Sequence, residues 1–296
     1  IKRDRWTWSG DAIQSYLMNY YLRFDSDCVR RTIRQLRGKD PVTAHVNTIM
    51  DYTFYWFKSV LDFYQYTGDI AFVREIYPRM QTLMQYVMGR LNNEGMAEGK
   101  ADDWIFVDWV DFPKLKPTFW DKDRNAFMHA IEDGEMNRQI TAFPNMFAII
   151  YDMVDQRDKE KLMDSVLLNQ DVEPITTPYM RFYELEAMCR MGYQERVLPE
   201  ILGYWGGMIN EGATSFWEKY NPADEGAGHL AMYGRPYGKS LCHAWGASPI
   251  YLIGRYYLGV SPTKPGYAEY EVKPVLGGLK RMQGSVPTPF GEIRVK

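Results

Sequence analysis

Arg3-Asp4-Arg5-Trp6-Thr7-Trp8-Ser9-Gly10-Asp11 packs two carboxylates, two guanidinium groups and two indoles into nine residues, then runs directly into a helical pattern. Ile13, Tyr16, Leu17, Tyr20, Tyr21 and Phe24 follow at the three-and-four spacing of one helix face. Ser9 or Asp11 stands where it could cap the helix start. Exposed loops rarely need two Trp, and buried cores rarely tolerate two Asp and two Arg. One reading is a pocket in which a polar ring-shaped ligand, such as a sugar, stacks on indole while charged groups bind its hydroxyls. The other is a salt-bridged loop over packed Trp, and composition alone leaves both open.

Outward from this stretch the helical pattern repeats. Helices are expected at about 26–36, 52–66, 70–91, 138–155, 157–168, 179–191, 194–209 and 241–258, with turns at Gly38, Gly68, Gly95, Gly192 and Gly259. Short turns between long amphipathic helices make antiparallel neighbours. Nine helices in such pairs predict an all-α toroid of helical hairpins over residues 1–260, with its first helices lying before Ile1. No sequence repeat is evident, which weighs against a solenoid of identical units. Residues 96–135 are rich in Gly, Pro and Asp and read as a long loop or short hairpin. Loops of that length tend to be functional. After Gly259 the pattern alternates, as in Tyr267-Glu269-Glu271 and Ile293-Arg294-Val295, so 261–296 reads as the beginning of a C-terminal β-sandwich.

The totals exclude several classes. A net charge of −3 with no basic block argues against nucleic acid or a membrane surface as partner. No apolar run of about 18 residues is present, so no membrane span is expected. The three Cys are far apart, without CxxC, and indicate neither a disulfide framework nor a zinc site. The four His show no metal-binding spacing, so no transition metal and no cofactor is expected, while the acidic residues leave calcium open. Ile1 is not an initiator Met. The chain therefore reads as a piece of a longer protein with flanking domains.

Carboxylates and indoles concentrate in three loop regions: 3–11, 102–121 and 211–225. In a toroid, loops at the same end of alternate helices converge over the central cavity. The candidates are Asp4 and Asp11 in the first region. The second offers Trp104, Asp108 and Trp109, beside Asp102, Asp103 and Asp111, and the third offers Trp217 and Glu218. Hydrolysis of a glycosidic bond needs two carboxyl groups, one protonated and one ionised. Indoles exclude water and raise the pKa of the acid. The bland alternatives are solvated turn residues for the Asp cluster, a surface ion pair for Glu218 with Lys219, and a packed His243 beside Trp245.

Four motifs together resemble the catalytic domain of the α-L-rhamnosidases of glycoside hydrolase family 78. They are RDRWTWSGD at 3–11, Asp108-Trp109, GATSFWE at 212–218, and CHAWGASPIYLIGRYYLGV at 242–260. Their order, and the change to strands near 265, agree with that family. The resemblance implies an (α/α)6 barrel, a small C-terminal β-sandwich and a reaction that inverts the anomeric centre.

Family members usually read RDERxGWTGD in the first motif, with the Glu as general acid. Matched backward from Gly10-Asp11, that acid falls on Asp4, Arg3 replaces an Asp, Thr7 a Gly and Ser9 a Thr. The resemblance implies Glu218 as general base, with Asp11 and His243 contacting sugar. Trp8, Trp104, Trp109, Trp217, Trp245 and Asp108 complete the implied substrate site. One methylene less at Asp4 shortens its reach by about 1.5 Å, and a misplacement of that size can cost on the order of 100-fold in rate. The departure leaves three readings, a rhamnosidase with a shifted loop, an inverting enzyme for a related sugar or a poor catalyst, and the kept Trp8, Gly10, Asp11 and Glu218 favour the first; a carbohydrate-binding domain without turnover is the alternative from another class. A substrate of plant-type glycans or rhamnosides is expected, with export from the cell if that substrate is a polymer.

Overall fold

The computed structural model describes residues 8–93, 119–132 and 135–296. The described residues are mostly helical with three small antiparallel sheets among them. It divides into two compact units. One gathers 1–110, 253–274 and 282–296; the other gathers 111–252 and 275–281.

Among its described residues the first unit is built on four helices: α1 (Ser9–Leu22), α2 (Ser26–Gln35), α3 (Met50–Thr67) and α4 (Ile70–Met88). Asp25 and Asp69 cap α2 and α4, accepting from the backbone N–H groups of Cys28 and Phe72. α3 ends on Gly68 in the left-handed conformation, φ 71°, where a side chain would be strained. Tyr20 stacks on Tyr66 at 4.3 Å between ring centres, and Phe63 and Ile33 are fully buried. Trp56 is buried too, and its indole N–H donates to the Ile33 carbonyl at 2.9 Å, so the polar atom of the largest core side chain is satisfied.

α1 begins differently from the expectation. Neither Ser9 nor Asp11 is its cap. The helix starts at Ser9, and the Ser9 N–H donates to Oδ1 of Asn47 at 3.0 Å, from a loop 38 residues away. Asn47 can do this because its backbone turns left-handed, φ 55°, a conformation Asn tolerates better than most residues. Asp11 lies in the first turn, where its charge suits the helix dipole.

The C-terminal strands belong to this unit. β4 (Val260–Pro262) pairs with β5 (Tyr270–Val272), and β6 (Gly284–Thr288) with β7 (Gly291–Val295). Tyr21 of α1 donates to the Val260 carbonyl at 2.8 Å, and Gly284 lies so near Leu258 that a Cβ there would sit 2.8 Å from it.

In the second unit, β1 (Trp120–Asp121), β2 (Ala126–Glu132) and β3 (Glu135–Ile140) form one sheet. The expected helix from 138 is therefore shorter. Residues 135–140 pair with β2, and α5 runs only over Ala142–Ile150, with Pro144 in its first turn, where a missing N–H costs nothing. The Asn145 amide bonds both the N–H and the carbonyl of Phe127, locking α5 onto β2. α6 (Gln156–Leu162) continues as wider turns to Leu167. It is followed by the pair α7 (Pro178–Arg190) and α8 (Gln194–Asn210), separated at Gly192. Phe182, Leu185, Met146 and Leu162 form the core of this unit.

The expected helix 241–258 also begins later. α9 covers Ser248–Leu252, with wider turns over Ile253–Tyr257. Pro249 lacks the N–H that would bond the Trp245 carbonyl, so the helix starts at Ser248. The residues before it are free to pair elsewhere.

Candidate active site

Two groups of the sequence candidates fall on described residues, one in each unit. Asp4, Trp104, Asp108 and Trp109 lie outside the described residues, as do Asp102, Asp103 and Asp111.

In the first unit, Trp8 immediately precedes α1 and is half-buried, edge-on to Tyr52 of α3 with ring centres 6.2 Å apart. Gly10 explains why: a Cβ there would lie 2.6 Å from the Tyr52 ring, so only glycine lets α1 approach. Trp8 also lines a cavity of about 580 Å³ together with Leu36, Pro41, His45, Asn47 and Thr48. His45 is buried, with Nδ1 3.0 Å from the Thr53 hydroxyl. Aromatic and polar walls of this kind suit a ring with hydroxyls.

The second unit carries a tighter arrangement. After α8, the chain segment Phe216–Glu218 lies antiparallel to Ser240–His243. The His243 N–H donates to the Phe216 carbonyl at 2.8 Å, and the Glu218 N–H to the Ser240 carbonyl at 3.0 Å. The Trp245 indole N–H donates to the Glu218 carbonyl at 3.0 Å. Trp205 Nε1 of α8 donates to the Gly246 carbonyl at 2.6 Å, tying the second segment down. Gly246 must be small, since a Cβ would sit 2.8 Å from the Trp217 carbonyl oxygen. Backbone pairing thus brings Trp217, Glu218, His243 and Trp245 together, although the last two follow Glu218 by some 25 residues.

Glu218 is 1% exposed. Its Oε1 accepts from the Tyr233 hydroxyl at 2.9 Å and its Oε2 from the Ser240 backbone N–H at 2.8 Å. A buried carboxylate with a donor on each oxygen is held in orientation, because turning it would break hydrogen bonds to a buried charge. The surface ion pair with Lys219, open on sequence, is not what Glu218 forms among the described residues. His243 is half-buried with its ring 4.4 Å from that of Trp245, which continues to Tyr179 at 5.0 Å. These rings form an aromatic row tied to the Glu218 backbone through the Trp245 indole N–H.

Trp217 points elsewhere. It is 4% exposed and packs near Tyr220 and His229, with Lys239 Nζ 5.6 Å from its ring centre. Lys239 is itself buried, and its ammonium has no hydrogen-bond partner among the described residues. Burial pushes its pKa below the ordinary lysine range; Lys219 adds to that, while Asp224 and Glu218 oppose it.

Tyr233, Lys239, Ser240 and Asn47 were absent from the sequence candidates. Each acts through a contact distant in sequence, and Ser240 acts through a backbone N–H that no residue pattern marks. Among the described residues, no group of three or more His, Cys, Asp or Glu could hold a metal ion, and no helix is long and apolar enough to cross a membrane.

No family model matches the chain. An α-L-rhamnosidase of Alteromonas sp. (strain LOR) is 35% identical over 291 residues, which cover 79% of this chain and 30% of that protein. The chain belongs with the family 78 α-L-rhamnosidases. It spans under a third of that curated relative. Solved rhamnosidases share its fold. The family 78 enzyme of Bacillus sp. GL1 superposes with a TM-score of 0.82 at 22% identity, covering 97% of this chain and 36% of that one. The rhamnosidase of Klebsiella oxytoca, with rhamnose bound, gives 0.71 at 20% identity, covering 86% and 59%.

Proposed function

We propose that the chain is the C-terminal part of the catalytic domain of an inverting glycoside hydrolase that releases terminal α-L-rhamnose from plant-type glycans or rhamnosides. The observation that carries this reading is Glu218: a carboxylate 1% exposed, with Tyr233 and the Ser240 N–H donating to its two oxygens, in the segment that resembles the family's base motif. An ionised carboxylate so held can take a proton from water as that water attacks the anomeric carbon. Asp4 is the acid that protonates the leaving oxygen. Asp11 and His243 hold ring hydroxyls. Trp8, Trp104, Trp109 and Trp245 supply apolar wall for the C5 methyl of rhamnose, with Asp108 among the polar contacts. An (α/α)6 toroid completed by helices outside this chain is the architecture we infer, with 261–296 opening a β-sandwich.

The full-length protein, incubated with an aryl α-L-rhamnoside and followed by proton NMR, should yield β-L-rhamnose before mutarotation. Glu218→Gln should lower kcat by at least about 100-fold, the usual scale of general base catalysis, with KM little changed. First-formed α-L-rhamnose would exclude inversion. Near-normal turnover by Glu218→Gln would remove Glu218 as base. Tight rhamnoside binding without turnover would favour the binding-domain alternative, which the Asp at position 4 keeps in play.

A further inference from the structure

The loop between Glu225 and Ser240 contains one feature that local folding preferences oppose. Met232 and Arg235 exchange both backbone hydrogen bonds, at 3.1 and 3.0 Å, around Tyr233 and Gly234. Both central residues have positive φ, 55° and 69°, so this is a two-residue turn of the kind that favours Asn-Gly or Gly-Gly. A bulky aromatic at its first central position is an outlier. Burial does not repay it, because Tyr233 is 64% exposed. Its hydroxyl nevertheless reaches the 1%-exposed Glu218 and donates to Oε1 at 2.9 Å. Strained backbone persists where surrounding structure holds it, and it clusters at functional sites.

We propose that Tyr233 is a positioning residue for the reaction, its hydroxyl holding the Glu218 carboxylate in the orientation from which it takes a proton from the attacking water. This rests on Glu218 being the general base. The geometry supports it from both sides. Ser240 N–H holds Oε2 from the backbone, and the Glu218 and Ser240 backbones are themselves paired. Tyr233 is the side-chain half of the clamp. Removing the hydroxyl takes away one contact that sets the last torsion of Glu218, which is broad and soft, and a misplacement of about 1 Å can cost on the order of 100-fold in rate.

The test uses the full-length protein, an activated aryl α-L-rhamnoside and three backgrounds. Tyr233→Phe, which removes only the hydroxyl, should lower kcat about 10-fold or more with KM within about twofold, intermediate against that bound. Tyr233→Gly relieves the left-handed strain, so its Tm should equal or exceed that of the parent while kcat falls at least as far. In a Glu218→Gln background, assayed at high enzyme concentration, Tyr233→Phe should have almost no further effect, because the two residues act as a unit. A kcat within twofold of the parent in both Tyr233 variants overturns the proposal. So does a loss seen in KM, or one that persists undiminished in the Glu218→Gln background, since Tyr233 would then act on substrate directly. A near-normal Glu218→Gln enzyme, or a parent without rhamnosidase activity, overturns the reading of the base itself and this inference with it.

Discussion

Replacing Asn47 separates two contributions that the structure assigns to one side chain. Asn47 accepts from the Ser9 N–H at 3.0 Å, capping α1 across 38 residues, and holds φ 55°. Asn47→Ala loses the cap, about 1 kcal/mol, and places a Cβ-bearing residue without Asn's local hydrogen bonding in the left-handed region, about 1 kcal/mol more. The sum of about 2 kcal/mol corresponds to roughly 30-fold in a local opening equilibrium. Asn47→Gly keeps the backbone conformation and loses the cap, so about 1 kcal/mol is expected. Asn47→Asp keeps an acceptor and adds charge at a helix N-terminus, so it should match the parent or gain a few tenths of a kcal/mol. Hydrogen exchange of the peptide spanning 9–22, read by mass spectrometry in the full-length protein, resolves the series. Protection should fall in the order Asp, Asn, Gly, Ala. The loss should centre on the first turn, where Trp8 and Gly10 meet Tyr52. Equal protection in the Ala and Asp variants would refute the capping argument. A loss confined to the loop around 47 would show that α1 is held by its packing alone.

Two further outcomes follow from charge. Lys239 titrates lower in the folded chain than in the unfolded one, because burial strips its ammonium of water. The unfolded state therefore binds more protons between the two values. The penalty is full below the folded value and fades as pH rises from there toward the ordinary lysine value near ~10.4. Lys239→Met should thus raise stability at pH 7, with the gain shrinking toward pH 10 in denaturant titrations; a gain independent of pH would show that packing, not charge burial, is responsible. Asp4→Asn, if Asp4 is the acid, should slow rhamnosides with poor leaving groups far more than aryl rhamnosides of acidic phenols, and equal losses on both would move the acid elsewhere.

What the sequence determined by itself was local. Apolar residues three and four apart can all be buried only on a helix, so 11–24, 26–36, 52–66, 70–91, 179–191 and 194–209 were legible within a few residues of the observed ends. Asp25 and Asp69 cap helices that begin one residue later, a contact local enough to read. Glu218 and His243 could be named because a motif is a run of neighbours. Tertiary structure decided whatever depends on partners distant in the chain. Residues 138–140 have helical spacing, yet β2 takes their backbone; 241–247 continue a helical pattern, yet the His243 N–H goes to Phe216. Asn47 caps a helix it does not precede, and Tyr233 tolerates a left-handed turn because its hydroxyl finds a carboxylate 15 residues earlier. Backbone N–H and C=O groups are the same in every residue. Which of them pair over long distances is therefore written in the packing that brings them together, and not in the identity of the residues that carry them.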